Sequence, residues 1–302
     1  MRGLEVALAT GEIVSWNGAA KAPGPALWRT FVGAEGTLGV VTRVIAQLYP
    51  LPEARRFAAY RFPPFADGFQ AISHMRAVGL HASMVDDEEI GETPLASPAD
   101  LYLAFDGPDG VVRPTLSHAR RICRDVGGTD RGVRAAERFW EHRHDTAYQF
   151  MKRRSFAPPA EHQPHVVYAN VAVPRSRVLS YCSHVVDIAR RHGVAVHSFG
   201  IWGRPEFVSF ILEGQFGGAQ PGPLELAADD SLLLARQEGG SIEYCHGVGI
   251  RLAHLMSAEL GSVELLLNRL KTALDPSCVL NPANWGSTGH PDRNSFQPQC
   301  PG

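Results

Sequence analysis

The hydrophobic pattern first predicts a strand near the N-terminus. Apolar and polar residues alternate along residues 38–49, "LGVVTRVIAQLY", with the period of two that is typical of a half-buried strand. Val40, Val44, Ala46 and Leu48 would share its buried face. Pro50 and Pro52 end the pattern, which places a domain boundary nearby. Before this strand, residues 1–16 predict two short strands joined by a turn at Thr10 and Gly11.

Beyond residue 55 the pattern alternates between strands and amphipathic helices. Short apolar runs predict strands at residues 57–62, 101–107, 165–173, 194–200 and 206–214. Helical spacing predicts helices at 68–78, 114–126, 133–153 and 175–192, the last with Gly193 as its C-terminal cap. Several strand pairs are joined too briefly for parallel crossovers. The pattern therefore predicts an α+β domain, an antiparallel sheet with helices on one face.

A final helix carries clear start and stop signals. Ser262 would cap it, Glu264 lies in its first turn, and Asp275 with Pro276 ends it. An apolar stripe lines one face: Val263, Leu266, Leu267, Leu270 and Leu274. Residues 287–302 have no periodicity, which predicts disorder.

Composition narrows the class of protein. The 302 residues are 44% hydrophobic and carry a net charge of −2, so nothing favours binding to nucleic acid or to a membrane surface. No apolar run reaches the length of a membrane span, and the first residues do not form a signal peptide. Five widely spaced cysteines with no CxxC pair argue against a disulfide framework or a zinc site and favour a reducing cytoplasm.

One glycine-rich motif points to chemistry. In "FVGAEGTLGVVTRVI", residues 31–45, Gly33, Gly36 and Gly39 recur around Glu35 and Thr37. Glycines at this spacing let a backbone lie close to a ligand, with N–H groups donating to its oxygens. By itself the motif fits a glycine-rich turn before a strand better.

Two segments together resemble the FAD-linked oxidases, the vanillyl-alcohol oxidase or PCMH group. "FVGAEGTLGVVTRVIAQLYPLPE" is similar to the end of their flavin-binding domain. "GGSIEYCHGVG" and "LKTALDPSCVLNPANWG" resemble their C-terminal return to that domain. Middle segments such as "FAAYRFPPFADGFQAI" resemble the alkyldihydroxyacetonephosphate synthase-like branch. The glycolate oxidase and D-lactate dehydrogenase branch is similar at both ends, but its "GHxGDGNxH" histidines are not matched in "HSFGIWGRPEF".

The resemblance implies FAD as cofactor and a set of residues that contact it. By position in the two motifs these are Gly33, Glu35, Gly36, Thr37, Leu38, Gly39, Val40, Val41 and Asn281. The Thr37 hydroxyl would donate to the dinucleotide, and Asn281 in "LNPANW" would donate to a flavin carbonyl. An Asn-Pro turn after a helix explains Asn281 equally well.

The resemblance also implies catalytic candidates. His246 in "EYCHGVG" would orient substrate or move a proton, unless it only forms a hydrogen bond at a helix start. Tyr244 is a second acid or base, or an interior aromatic residue. Arg143 would clamp an anionic substrate. Further candidates are Lys152, Arg153 and Arg154, although a solvated helix face also explains this basic run. His142 and His144 cannot share a helical face, so no metal site is predicted there.

The same resemblance sets the predicted organisation. Residues 1–52 would be the C-terminal part of a PCMH-type FAD-binding domain, 53–238 the substrate or cap domain, and 239–286 the return to the FAD domain. No glycine-rich pyrophosphate loop lies upstream of Gly33, so the chain resembles the C-terminal two-thirds of such an enzyme.

Two hypotheses follow from this organisation. The first is an FAD-dependent oxidoreductase that acts on a small hydroxylated or carboxylated substrate, with an alkylglycerone-phosphate synthase-like activity as one option. In this hypothesis another chain would supply or cover the missing FAD lobe. The second is a truncated, non-catalytic paralogue that serves as an interaction module.

Overall fold

The computed structural model describes residues 2–16, 24–80, 84–89, 97–145, 165–218, 220–282 and 284–286. The chain divides into two compact units, Met1–Pro50 with Cys245–Gly302, and Leu51–Tyr244. Residues 239–244 therefore belong to the second unit and not, as the sequence suggested, to the first. Ser241 pairs with Ala172, and the Tyr244 N–H donates to the Asn170 carbonyl, which holds this segment against a strand of the second unit.

The first unit begins with a small antiparallel sheet. Its strands are β1 (Gly3–Ala7), β2 (Ile13–Trp16) and β3 (Val40–Ile45), in the order β2-β1-β3. β1 is central, and its Leu4 and Val6 side chains are buried. Trp16 packs against Phe31, which lies in a short 3₁₀ helix at Leu27–Phe31, with ring centroids 5.7 Å apart.

β3 was predicted to bury one face, and that prediction is wrong for the described structure. Val40 and Val44 are 52% and 51% exposed, and Leu48 beyond the strand is 82% exposed. Residues on the other face of the strand, Val41 and Ile45, are exposed as well. The alternation is real, but no described element buries either face of this edge strand.

The second unit is built on a seven-stranded antiparallel sheet. The strands are β4 (Ala54–Phe62), β5 (Met84–Glu89), β6 (Ala99–Gly107), β7 (Thr129–Asp130), β8 (His165–Ala172), β9 (Ala195–Trp202) and β10 (Phe207–Gly214). Their order is β7-β4-β6-β5-β9-β10-β8, with every pair antiparallel. β5 and β7 were not predicted from the sequence.

Among the described residues, five helices accompany this sheet. They are α1 (Phe65–Ala77), α2 (Asp109–Asp125), α3 (Val133–His142), α4 (Val178–His192) and α5 (Pro223–Gln237). Gly193 caps α4 with a φ of +65°, as predicted. α5 was not predicted. The helix predicted at 133–153 is described only to His142 as α3, and Lys152, Arg153, Arg154 and the segment 287–302 lie outside the described residues.

The pleat gives the sheet two different faces. Directly paired residues of antiparallel strands share a face, and successive residues of one strand lie on opposite faces. The pairs Ala59–Tyr102 and Asn170–Ser209 therefore lie on the face opposite to that of the residues next to them in sequence. One face, the covered face, buries large apolar residues: Tyr60, Phe62, Leu101, Leu103, Phe199 and Phe210. The other, here the second face, carries Phe57, Tyr102, Asn170, Ser209 and Phe207.

Helices α1, α2, α4 and α5 pack on the covered face. Phe65 of α1 contacts Phe199, and Tyr181 of α4 contacts Phe210 and donates to the Ser231 carbonyl of α5. α3 differs from the prediction of helices on one face, because it packs on the second face. Its Phe139 stacks on Tyr102 with centroids 4.1 Å apart. Tertiary stacking of aromatic residues, which periodicity does not report, decides this placement.

The C-terminal part of the first unit is helical. A 3₁₀ turn at Ala253–Leu255 leads into α6 (Met256–Leu260) and α7 (Val263–Leu274). Ser262 takes the N-cap position of α7, although its side chain makes no capping hydrogen bond. In the described part of the chain, no helix combines the length and apolarity needed to cross a bilayer.

Candidate active site

Glu35 joins the glycine-rich motif to the HGVG motif within the first unit. Its Oε1 accepts the Val248 N–H at 2.6 Å, and its Oε2 accepts the Gly249 N–H at 2.8 Å. The Asn284 side-chain amide donates to Oε2 at 3.2 Å. Two motifs more than two hundred residues apart in the sequence are therefore parts of one hydrogen-bonded contact.

Each of the three glycines in residues 33–39 is required for a different structural reason. Gly39 lies against Val6 of β1 so closely that any Cβ would overlap the valine side chain. At Gly36, which has a φ of +72°, a Cβ would lie 2.9 Å from the Asn281 side-chain nitrogen. Gly33 has a φ of +82° and open space around the Cβ position, so it needs glycine for its backbone conformation.

Thr37 and Leu38 face inward. Both are about 1% exposed, and the Thr37 hydroxyl donates to the Ala34 carbonyl at 2.7 Å. In the described structure the hydroxyl proton is used inside the loop, and the expectation that it donates to a cofactor stays a prediction. Val40 and Val41, by contrast, have exposed side chains.

A buried ion pair fastens the same loop to α7. The Lys271 ammonium donates to the Thr37 carbonyl at 2.8 Å, to the Leu280 carbonyl at 2.6 Å and to Asp275 at 2.5 Å. Three protons thus meet three oxygens, which a buried ammonium requires. Lys271 and Asp275 are 5% and 2% exposed, whereas Val263 and Leu266 of the predicted apolar stripe are more than half exposed.

Asp275 organises the LNP segment that follows α7. Its carboxylate accepts the Val279 and Leu280 N–H groups at 3.0 and 2.8 Å. Burial raises the pKa of this carboxyl group, but the Lys271 hydrogen bond and the two N–H groups outweigh that effect and hold the pKa below its usual value. The segment then turns at Asn281, whose φ is +41° and whose amide donates to the Glu35 carbonyl at 2.6 Å.

His246 lies on an exposed loop, not at a helix start. Gly247 follows it with a φ of +78°, and Gly249 has a φ of +51°. A Cβ on Gly247 would overlap the Glu35 carboxylate, so the close approach that this glycine permits is that of Glu35. The imidazole is exposed, next to a backbone that Glu35 fixes.

Tyr244 joins a polar cluster on the second face of the sheet. Its hydroxyl lies 3.2 Å from the Ser209 hydroxyl, which donates to the Asn170 side-chain oxygen at 2.6 Å. The Tyr244 ring stacks on Phe207 with centroids 4.3 Å apart and an interplanar angle of 6°. The phenol is half-buried rather than a core residue, and its oxygen belongs to a hydrogen-bonded chain that ends at the Asn170 amide.

Arg143 caps the C-terminus of α3. Its guanidinium lies 3.9 Å from the centre of the Trp140 ring and donates to the Trp140 carbonyl. Arg55 lies over the same ring at 4.4 Å and is paired with Asp106. Arg143 is thus held by cation–π attraction, and its role as a substrate clamp stays a prediction.

The structure unites some predicted residues and separates others. Residues 33–39, Asn281 and the loop after His246 meet in the first unit, while Arg143 and the Tyr244 cluster belong to the second. Ser209, Asn170, Lys271 and Asn284 were not selected from the sequence. A polar residue inside an otherwise apolar strand is the signal that could have indicated Asn170 in "HVVYANVAV" and Ser209 in "EFVSFILEG".

The loop fits a dinucleotide in part. Among the described residues, no hydrogen bond uses the N–H of Gly33 or Gly36, and the space beside Gly33 is open. These backbone donors could meet an anionic ligand, and the side chains of Val40 and Val41 are exposed beside them. The side chains of Glu35 and Thr37 are turned to the protein, so the loop alone provides only part of a pyrophosphate site.

Known proteins match this chain over most of its length. Residues 51–285 match the family described as FAD linked oxidases, C-terminal domain. Glycolate oxidase subunit GlcD of Bacillus subtilis is 27% identical over 93% of the chain and 62% of its own length. A probable mitochondrial D-lactate dehydrogenase of Danio rerio is 25% identical over 92% of the chain and 59% of its own length. The chain thus spans about three-fifths of the length of these relatives.

Solved structures agree on the fold. A structure of alkyldihydroxyacetonephosphate synthase superposes with a TM-score of 0.65 at 17% identity, covering 93% of this chain and 52% of that one. The family match extends over the whole second unit and the α7–LNP segment, where the Lys271 and Asp275 contacts were found. This chain belongs to the FAD-linked oxidases, and it carries their C-terminal domain.

Proposed function

We propose that this chain is the substrate-binding and C-terminal part of an FAD-dependent oxidoreductase that oxidises a small 2-hydroxy acid or a related hydroxylated carboxylate. The observation that carries the proposal is the Tyr244–Ser209–Asn170 cluster. It is a chain of hydrogen-bonding groups on the second face of the sheet, opposite to the face on which four of the five described helices pack. The relatives named for glycolate and D-lactate support this class of substrate.

The residues of the chain have separate tasks in this proposal. Tyr244 and Ser209 offer hydroxyl groups that can bind a substrate oxygen and take up or return a proton. His246 offers an exposed imidazole that can orient the substrate. When bound, FAD would accept the hydride from the substrate carbon. The backbone of residues 33–36 would hold part of the dinucleotide.

The rest of the dinucleotide site must come from a further portion of protein. Exposed apolar side chains on both faces of β3 support this, because edge strands with bare apolar faces are typical of surfaces that another segment covers. That portion can belong to a longer polypeptide or to a second chain.

The test isolates the protein from its native source through a tag on this chain. We expect bound FAD, and bleaching of the visible flavin bands when glycolate or D-lactate is added without oxygen. Tyr244→Phe should slow the bleaching at least about tenfold, the effect of losing one proton-transfer group. Tyr168→Phe is the matched control, because Tyr168 lies on the same face of β8 as Asn170. A flavin-free isolate, or one that no hydroxy acid reduces, would contradict the proposal and favour an interaction module.

A further inference from the structure

The backbone of the loop that carries His246 is held by a carboxylate of the same chain. Glycine residues at 247 and 249 both adopt positive φ, a conformation in which successive backbone N–H groups converge on an acceptor. The acceptor here is a carboxylate of the same chain, since the Val248 and Gly249 N–H groups both donate to Glu35. The loop is therefore an anion-binding turn whose anion is built in.

Glu35 is itself held in place. Its own φ is +50°, its carbonyl accepts the Asn281 amide, and its carboxylate accepts the Asn284 amide. The contact is close enough that Gly247 cannot carry a side chain. Charge-assisted bonds at 2.6 and 2.8 Å are among the stronger hydrogen bonds in proteins, so the carboxylate can fix the backbone that follows His246.

We infer that Glu35 is a positioning residue for His246, rather than a ligand of the cofactor. It acts through the Val248 and Gly249 N–H groups, which set the direction in which the chain leaves His246. The inference rests on the proposed function, in which His246 contacts the substrate.

Glu35→Gln is the informative substitution. Both carboxylate oxygens accept hydrogen bonds, so a carboxamide of the same shape must turn its NH₂ group towards at least one donor. The Val248 or Gly249 N–H then loses its acceptor. Glu12→Gln is the matched control, because Glu12 lies on an exposed turn of the same unit and bonds only to Thr10 and the local backbone.

Amide hydrogen exchange of the 302-residue chain tests the support directly. We expect exchange at Val248 or Gly249, whichever N–H loses its acceptor, to accelerate about tenfold or more in Glu35→Gln, and exchange at both to be unchanged in Glu12→Gln. Unchanged exchange in Glu35→Gln would overturn the inference, whatever the protein catalyses.

The flavin-loaded protein separates positioning from cofactor binding. Positioning predicts that Glu35→Gln keeps its FAD content while turnover per bound FAD falls at least about tenfold, and that His246→Ala added to it lowers turnover little further. Lost FAD with unchanged turnover per bound FAD would make Glu35 a cofactor ligand and overturn the inference. A native-source isolate of the wild type without flavin would refute the proposed function, while the exchange result on the 302-residue chain would still decide the support.

A second variant covers the case in which Glu35→Gln does not fold. Asn284→Ala removes only the longest of the three bonds to the carboxylate, at 3.2 Å. It should accelerate Gly249 exchange and lower turnover per bound FAD in the same direction, but by a smaller factor. No change in either quantity in a folded Asn284→Ala protein would contradict the positioning role.

Discussion

At the residue scale, the side chain that the fold can least replace is a lysine. Lys271 is buried and bonds to Asp275 and two carbonyl groups from separate segments. Lys271→Met should lower the free energy of unfolding by about 3–5 kcal/mol, because it leaves a buried carboxylate without its partner. Urea denaturation measures this change. Arg269→Met on the exposed face of the same helix is the control, and an equal loss in both variants would contradict the prediction.

The pH dependence of stability follows from the same pair. The folded pKa of Asp275 lies below its unfolded value of about 3.9, so its stabilisation is present above pH 4 and is lost as the pH falls through the folded pKa. Urea midpoints should therefore decline below about pH 4 in the wild type. Asp275→Asn should show a lower midpoint at pH 7 and a shallower decline on acidification. An unchanged slope would mean that other carboxyl groups dominate.

At the scale of elements, Gly39 determines how the loop joins the sheet. A methyl group there would overlap Val6 in the central strand, so Gly39→Ala should destabilise the protein by about 1–3 kcal/mol through overpacking. Val6→Ala should recover part of the loss in the double variant, since it makes room for the methyl group. Thermal unfolding measures both. Gly110→Ala, in α2 with nothing within 4 Å of the Cβ position, is the control and should not destabilise.

The same elements show how far the sequence could lead. Short apolar runs predicted the strands around Ala59, Val208 and Val171 because the second unit buries these residues. Periodicity failed for Val44, because alternation cannot report whether a covering layer exists. The motif around Glu35 was recognised, but its hydrogen-bond partners follow it by more than two hundred residues, and no local signal names them. Lys271 was missed because a buried lysine needs three acceptors that only the tertiary fold assembles.

At the scale of the whole molecule, the bare faces of β3 determine how the 302-residue chain behaves alone. Val40, Val41, Val44 and Ile45 expose apolar surface on an edge strand, which favours self-association. Val44→Lys should raise the monomer fraction in size-exclusion chromatography, whereas Val78→Lys, on an isolated exposed valine of the second unit, should not. An equal effect of both would show that general charge, not β3, controls association.

The FAD content of the isolated chain tests whether these 302 residues bind the cofactor without further protein. A pyrophosphate carries two negative charges and needs several aligned donors, and the described loop offers the N–H groups of Gly33 and Gly36 but no cationic side chain. We expect the isolated chain to carry little or no FAD and to show little oxidase activity. Flavin absorbance against protein concentration measures this. A yellow protein with close to one FAD per chain would show that residues 33–41 and the segment around Asn281 suffice for the cofactor, and that the bare strand has another purpose.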